Sequence, residues 1–130
     1  MRARVAHVLV LEDDPGLRLV FAEALRRQGD RVDAVGSCAE AIAYLRCVCP
    51  SLVVLDLKIG SELSLSVADY AALRYPQLPV LCVTGCGMFA HGELFALSPN
   101  ISCVLRKPVS IQDFRSTVQH MCTTLRCAAS

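Results

Sequence analysis

Five residues that could carry out chemistry each follow a short apolar run in this sequence. Short apolar runs bounded by polar residues are typical of buried strands in a parallel sheet. The carboxyl ends of parallel strands meet at one edge of the sheet, where doubly wound α/β domains bind their ligands. We therefore expect the five side chains to lie close together. They are Glu12, Asp13, Asp56, Thr84 and Lys107.

The three acidic residues indicate the kind of ligand. Neighbouring carboxylates repel one another, and such a cluster usually needs a cation. A set of oxygen ligands with positions left for water and phosphate suits Mg²⁺. Lys107 would place a point charge against a phosphate oxygen, and Thr84 would offer a hydroxyl donor. The set predicts that Asp56 accepts a phosphoryl group in a Mg²⁺-dependent reaction.

Each of these residues also has a purely structural interpretation. Asp56 alone could cap a helix, and Glu12 and Asp13 could be solvated acids favoured by a helix dipole. Thr84 suits a strand because it is β-branched, and Lys107 could be an ordinary exposed lysine. Their shared position at strand ends favours the functional interpretation.

Strands and helices alternate along the chain and would position these residues. We expect strands at residues 8–11, 31–35, 52–55, 79–84 and 101–105, and helices at 14–29, 37–46, 64–75, 88–97 and 110–125. The order βαβαβαβαβα predicts a doubly wound parallel sheet with helices on both faces. The second strand is predicted at an edge, and residues 57–62 are predicted to form a loop. Gly92 interrupts the fourth helix at a cost of roughly 1 kcal/mol, so we expect that segment to be mobile.

Capping residues and apolar stripes define the helices. Asp14, Ser37 and Ser110 are predicted N-caps, and Gly29 is predicted to close the first helix. The stripes predict which face of each helix is buried. They are Leu17, Val20, Phe21, Ala24 and Leu25 in the first helix, Leu65, Ala68, Ala72 and Tyr75 in the third, and Ile111, Phe114, Val118, Met121, Cys122 and Leu125 in the last.

Composition excludes several classes of protein. With 130 residues, 54% hydrophobic and 19% charged, the chain is expected to form one domain over residues 1–130, with a core at about 6–127 and no output domain. A net charge of +1 and scattered arginines argue against direct nucleic-acid binding. No apolar run approaches the roughly 18 to 20 residues of a membrane span, and the first run is too short for a secretion signal. We therefore expect a cytoplasmic protein.

The eight cysteines could suggest disulfides or a metal site. They include no C-x-x-C pair, and the three histidines are dispersed, so a zinc site is disfavoured. Most are expected to act as small hydrophobic residues, while a redox-responsive thiol, such as Cys86 near Thr84, stays open as an alternative.

Four motifs together resemble the receiver domain of two-component response regulators. They are Leu-Glu-Asp-Asp-Pro at 11–15, Val-Val-Leu-Asp at 53–56, Val-Thr-Gly at 83–85 and Lys-Pro at 107–108. Each motif alone is weak, but their order and spacing match the family over nearly the whole chain. The resemblance implies a flavodoxin-like fold with strand order 2-1-3-4-5.

The resemblance also implies a role for each residue. Asp56 would be phosphorylated by a sensor histidine kinase or a phosphotransfer protein, and the domain would catalyse only its own phosphorylation and dephosphorylation. Asp13 and Asp56 would bind Mg²⁺ directly, Glu12 mainly through water, and Lys58 through its backbone carbonyl. Lys107 and Thr84 would hold the phosphoryl oxygens, with Thr84 moving on activation. Lys107-Pro108 would be a cis peptide.

The family resemblance further implies that phosphorylation switches the binding of a downstream partner or output domain. A homodimer through the fourth helix, fifth strand and fifth helix is one arrangement that it allows. Two departures from the family pattern affect this expectation. Val104 stands where the family often has an aromatic residue that rotates on activation. The loop after Asp56 lacks the usual proline, and phosphoryl lifetime in the family depends on side chains near Lys58 and Cys86.

Two other functions stay open at this point. An aspartyl-phosphate phosphatase would use the same nucleophile. Such enzymes typically carry an Asp-x-Asp motif that starts at the nucleophile, and here Lys58 stands in place of the second aspartate. A receiver-like interaction module that does not depend on phosphate would fit the absence of an aromatic residue at Val104. The intact acidic set argues against that second function.

Overall fold

Five strands form a parallel sheet in the computed structural model, which describes residues 5–59, 62–85 and 98–129. They are β1 (His7–Leu11), β2 (Arg31–Val35), β3 (Leu52–Leu55), β6 (Val80–Thr84) and β7 (Ile101–Arg106). Their spatial order is β2-β1-β3-β6-β7. Counting only the strands of this sheet, that order is 2-1-3-4-5, which confirms the predicted fold class. The predicted edge position of the second strand is also confirmed.

Residues 57–62 were predicted as a loop, and this prediction was wrong. The described residues there form an antiparallel ribbon of two short strands, β4 (Lys58–Ile59) and β5 (Glu62–Leu63). Each strand has only two residues, too few to show the alternation of polar and apolar residues that identifies a strand from sequence.

Four helices are described, and together they cover both faces of the sheet. They are α1 (Pro15–Arg27), α2 (Cys38–Cys47), α3 (Leu65–Arg74) and α4 (Ile111–Ala129). On one face Leu9 and Leu11 of β1 pack in a cluster with residues of α2 and α3. On the other face Val8 and Val10 pack in a second cluster with residues of α1 and α4. Covering on both faces explains why β3 is apolar at every position.

The predicted helix caps are confirmed. Asp14 accepts from the N–H of Gly16, and the Ser37 hydroxyl accepts from the N–H of Glu40 while donating to its carboxylate. Ser110 accepts from the N–H of Asp113. Gly29 lies just after α1 with φ of +97°, a conformation that favours glycine, and its N–H donates to the carbonyl of Arg26.

Two of the predicted apolar stripes differ from the buried faces. Val20 is 45% exposed, because the buried face of α1 is centred on Phe21 and Leu25 and includes Ala22 rather than Val20. In α3 the buried residues are Val67, Ala68 and Ala71. Leu65, Ala72 and Tyr75 are only half-buried at the rim of that face, so the prediction holds there for Ala68 alone. The stripe of α4 is confirmed for its buried members Phe114, Val118, Met121 and Cys122, and the Leu125 side chain lies outside the described part.

The cysteines whose side chains the structure describes occur as thiols. Cys38, Cys82 and Cys122 are buried, as expected of small hydrophobic residues, and burial raises the pKa of Cys82 to about 12. Cys47 and Cys49 are exposed residues. The Cys49 thiol is nevertheless partly shielded from solvent, and this partial burial raises its pKa. Cys86 and the predicted helix at 88–97 lie outside the described residues. Among the described helices, none is long and apolar enough to cross a membrane.

A hydrogen-bonded cluster joins the edge of the sheet to α2. Asp33 Oδ2 lies 2.9 Å from His7 Nε2 and accepts a hydrogen bond of 2.8 Å from the Tyr44 hydroxyl. The Tyr44 hydroxyl is also 2.7 Å from His7 Nε2. These hydrogen bonds from His7 and Tyr44 lower the pKa of Asp33. The cluster therefore stabilises the carboxylate form of Asp33.

Removing the Tyr44 hydroxyl should give a stability loss that depends on pH. The pKa of Asp33 is lower in the folded state than in the unfolded state. Its contribution to the free energy of unfolding is therefore complete above the ordinary carboxyl pKa of about 3.9, and it is lost as the pH falls through the folded-state pKa. We expect Tyr44→Phe to lower the free energy of unfolding by less than about 1 kcal/mol at pH 7, since Asp33 is half exposed to solvent. The difference in the free energy of unfolding between Tyr44→Phe and wild type should become smaller below about pH 4.

Tyr75→Phe is the matched control for this measurement. The Tyr75 hydroxyl donates to the backbone carbonyl of Leu45, which does not titrate. Urea unfolding from pH 3 to 7 should therefore show a constant loss for Tyr75→Phe. An equally constant loss for Tyr44→Phe would contradict the role assigned to Asp33.

Candidate functional site

Two hydrogen bonds, one of the backbone and one of the Glu12 side chain, hold the acidic turn after β1 in place. The N–H of Glu12 donates to the carbonyl of Val35 at 3.1 Å, which continues the pairing of β1 with β2. The Glu12 side chain is buried, and its Oε2 accepts from the N–H of Asp14 at 3.2 Å. Asp13 is exposed at the tip of the turn. The turn thus presents one buried and one exposed carboxylate.

Asp56 lies beside this turn at the end of β3. Its N–H donates to the carbonyl of Leu11 at 3.0 Å, so β1 and β3 end side by side. Asp56 Oδ1 accepts from the N–H of Lys58 at 3.2 Å. One carboxylate oxygen each of Glu12, Asp13 and Asp56 lies within 4.8 Å of the other two. The structure therefore brings the three predicted acids together.

Lys107 joins two of the three carboxylates. It follows β7, and its N–H donates to the carbonyl of Thr84 at 3.0 Å. The ammonium Nζ donates to Glu12 Oε1 at 2.7 Å and to Asp56 Oδ2 at 3.0 Å. The Lys107–Pro108 peptide is cis, as predicted. Lys107 therefore contacts the Asp56 oxygen that the Lys58 N–H does not contact.

Thr84 is the last residue of β6 and is buried. Its backbone carbonyl receives the hydrogen bond from Lys107, so the two residues are adjacent at the same sheet edge. Val104, half-buried on β7, pairs with Cys82 and packs against the cluster on the α2 and α3 side. The five predicted side chains thus lie at strand ends along one edge of the sheet, and Lys58 lies next to them in the ribbon strand β4.

Burial and charge oppose each other in this site. Burial raises the pKa of Glu12, and the hydrogen bonds from Lys107 and the Asp14 N–H only partly offset that rise. Burial would lower the pKa of Lys107, but its hydrogen bonds to Glu12 and Asp56 outweigh burial and raise that pKa. Lys107 therefore stays charged as the cation that compensates the acids.

The family model described as the response regulator receiver domain matches residues 8–119. The chain belongs to this family.

Curated relatives of this receiver domain are regulatory proteins of bacteria. It is 26% identical over 113 residues to the regulatory protein VirG of Agrobacterium tumefaciens, covering 87% of this chain and 42% of VirG. It is 32% identical over 100 residues to the probable transcriptional regulatory protein TcrX of Mycobacterium tuberculosis, covering 71% of this chain and 43% of TcrX. The chain therefore spans about two fifths of the length of these relatives.

Solved structures share the fold of this receiver domain. A CheY-like receiver domain protein from Methanospirillum hungatei JF-1 aligns with a TM-score of 0.87 at 18% identity, over 96% of this chain and 99% of that one. The response regulator protein TrrA from Thermotoga maritima, solved in complex with Mg²⁺ and BeF, aligns with a TM-score of 0.77 at 20% identity, over 90% and 99% of the two chains.

The acidic cluster of this receiver fits a hard divalent cation. All the candidate ligand atoms are oxygens, and one acid is exposed while the other two are buried, which leaves an open side for water and phosphate. No nitrogen or sulfur ligand belongs to the group, so softer metals such as zinc are disfavoured. Within the described residues this is the one such group of three or more.

Two residues contact the site backbone but were not among the predicted ones. Arg18 Nη1 donates to the backbone carbonyl of Glu12 at 3.0 Å and lies over Gly36, where an added Cβ would be only 2.5 Å away. The Ser64 hydroxyl donates to the carbonyls of Asp56 and Leu57. An arginine in an amphipathic helix and a serine before a helix are common for other reasons, so the sequence carried no distinctive signal for either.

Proposed function

We propose that Asp56 accepts a phosphoryl group from a histidine kinase or phosphotransfer protein in a Mg²⁺-dependent reaction, and that phosphorylation switches the binding of a partner. The observation that carries this proposal is the bridge made by Lys107 between Glu12 and Asp56, with Asp13 beside them. The bridge places the Lys107 ammonium and the carboxylates of Glu12 and Asp13 around the buried nucleophile Asp56.

The two Asp56 oxygens have different partners. Oδ1 is held by the Lys58 N–H and Oδ2 by the Lys107 ammonium. These contacts orient the carboxylate at the sheet edge, where a phosphoryl donor can approach. One Asp56 oxygen would form the new P–O bond while the P–N bond to the donor histidine breaks. Lys107 and Thr84 would then donate to the phosphoryl oxygens.

Asp13, Asp56 and the Lys58 carbonyl would hold the cation directly, with Glu12 acting through water. Bound there, Mg²⁺ would neutralise charge on the phosphoryl oxygens. TrrA, a protein of the same fold, was crystallised in complex with Mg²⁺ and BeF, which supports this assignment.

The ribbon of β4 and β5 supports the role of the Lys58 carbonyl. The Ser64 N–H donates to the Leu57 carbonyl at 2.7 Å, and hydrogen-bonded and non-hydrogen-bonded pairs alternate along an antiparallel ribbon. Lys58 and Leu63 are therefore a non-hydrogen-bonded pair, whose N–H and C=O groups point away from the ribbon. The Lys58 N–H reaches Asp56, so its C=O lies on that same side.

The output of this receiver belongs to the proposal as well. We assign the receiver to residues 1–130 with a core at about 6–127, acting on a separate partner or an output domain. Because Val104 is aliphatic, we propose that activation reaches the partner surface without rotation of an aromatic side chain at that position.

Acetyl phosphate tests this proposal directly. Incubation of the protein with acetyl phosphate and Mg²⁺ should add the mass of one phosphoryl group, as measured by intact-protein mass spectrometry. Asp56→Asn should abolish the adduct, because an amide is not nucleophilic enough to form it. Asp69→Asn, which removes an exposed carboxylate of α3, should leave the adduct unchanged.

Either of two results would overturn the proposal. One is an adduct of equal yield in Asp56→Asn, which would place the phosphoryl group elsewhere. The other is no adduct in the wild-type protein together with no response to millimolar Mg²⁺ in NMR spectra, which would favour an interaction module that does not depend on phosphate.

A further inference from the structure

Ser64 occupies the N-cap position of α3 but does not act as a cap. A serine at this position usually accepts a hydrogen bond from an N–H group in the first turn. Here the Ser64 side chain makes no such bond, and the residue is fully buried. Its hydroxyl donates instead to the backbone carbonyls of Asp56 and, at 3.0 Å, of Leu57. The hydroxyl is therefore committed to the chain segment that carries the proposed phosphorylation site.

The backbone of Ser64 reinforces this contact. The Ser64 N–H donates to the Leu57 carbonyl, so the Leu57 oxygen accepts from both the main chain and the side chain of one residue. The ribbon between residues 57 and 64 is closed at its base by these bonds. The closed base fixes the pairing of Lys58 with Leu63, and the Lys58 N–H then donates to Asp56 Oδ1. In such a pair the N–H and C=O of one residue point to the same side of the ribbon.

We propose that Ser64 is a positioning residue for cation binding at the site of Asp56. Its hydroxyl holds the backbone from Asp56 to Lys58 so that the Asp56 carboxylate and the Lys58 carbonyl face the same cation. This inference rests on the proposed function. Groups that orient metal ligands from behind typically change metal affinity by about 10- to 100-fold when they are removed.

A purely structural role for Ser64 makes a different prediction. In that case the hydroxyl would only satisfy two buried carbonyls, and its loss would lower stability without changing Mg²⁺ affinity in the folded protein. The experiment must therefore measure affinity and stability separately. It also needs one control for loss of a buried hydroxyl and one for loss of stability.

The chain offers both controls. Ser98 is as fully buried as Ser64, but its hydroxyl has no hydrogen-bond partner among the residues that the structure describes, so Ser98→Ala makes the same chemical change without breaking a hydrogen bond to any of them. Val118 is a fully buried residue of α4, packed against the opposite face of the sheet from α3. Val118→Ala should lower stability without touching the site.

Mg²⁺ titrations followed by NMR should show affinity weakened by about tenfold in Ser64→Ala. The Lys58 and Asp56 amide signals should shift in this variant before any Mg²⁺ is added, and Ser64→Thr, which keeps the hydroxyl, should recover at least part of the affinity. Ser98→Ala and Val118→Ala should keep wild-type affinity, although Val118→Ala unfolds at a lower temperature.

The possible failures are distinguishable. If wild type binds Mg²⁺ and Ser64→Ala binds it equally well, the inference about Ser64 is overturned while the proposed function stands. If Val118→Ala weakens Mg²⁺ binding as much as Ser64→Ala does, global stability explains the effect and the positioning role is rejected. If wild type shows no Mg²⁺ response, the inference about Ser64 is overturned, and the proposed function fails as well when acetyl phosphate also gives no adduct.

Discussion

Lys107→Met is expected to slow phosphoryl transfer to Asp56 by about 10²- to 10³-fold, the usual cost of removing one preorganised donor from a reacting oxygen. Methionine keeps the approximate length of the side chain and removes the charge. The ammonium now lies 3.0 Å from Asp56 Oδ2 and 2.7 Å from Glu12 Oε1, so its loss removes the positive partner of both acids. The initial rate of adduct formation from acetyl phosphate, at saturating Mg²⁺, measures this effect.

The same substitution should lower stability when Mg²⁺ is absent. Breaking a fully buried ion pair costs about 3–5 kcal/mol, and the loss here should be smaller because Lys107 is a quarter exposed. Saturating Mg²⁺ should restore part of that stability, since a bound cation again compensates the carboxylates.

Arg106→Met is the control for both effects of Lys107→Met, because it removes the neighbouring positive charge from an exposed residue. It should change the rate of adduct formation by less than about threefold, as expected for a surface charge. A Lys107→Met rate within the same range would show that the lysine does not act on the phosphoryl group.

The structure brings the predicted residues together because their positions follow from topology. An apolar run that stops at an acid marks the end of a buried strand, and parallel strands end at a common edge. Glu12, Asp56 and Lys107 are separated by many residues in the chain, yet they needed only that rule to be placed together. The hydrogen bonds that Lys107 donates to Glu12 and Asp56 follow from the same juxtaposition.

The parts that were missed depend on contacts that a sequence pattern does not encode. Ser64 has the residue type and position of an N-cap, and only the fold shows that its hydroxyl turns toward Asp56 instead. The ribbon of β4 and β5 is too short to show a period. Val20 has the right spacing for the buried stripe of α1, but the buried face is centred on Phe21 and Leu25, so Val20 stays 45% exposed.

Phe114→Ala should cause the largest loss of stability among the substitutions considered. Phe114 of α4 is fully buried and stacks on Phe21 of α1, with ring centroids 4.3 Å apart and planes inclined at 26°. Replacing a buried phenylalanine by alanine costs about 3–5 kcal/mol, which includes the cavity that is left. Domains of this kind are stable by only about 5–15 kcal/mol, so the variant should lose a large part of its total stability. Urea unfolding followed by circular dichroism measures the change.

The size of this loss tests whether the two rings are packed as described. Phe114→Leu should lower the free energy of unfolding less than Phe114→Ala does, since leucine fills most of the cavity. Leu73→Ala should change it by no more than about 0.5 kcal/mol, because Leu73 is 84% exposed.

A double variant tests the contact between the two rings. Stacked rings add about 0.5–1.5 kcal/mol of stability beyond that of their buried area, and Phe21→Leu should lose the same interaction energy as Phe114→Leu. The double variant Phe21→Leu/Phe114→Leu should then lose less than the sum of the two single losses. Fully additive losses would contradict a direct contact between the rings, and with it the seating of α1 against α4 on this face of the sheet.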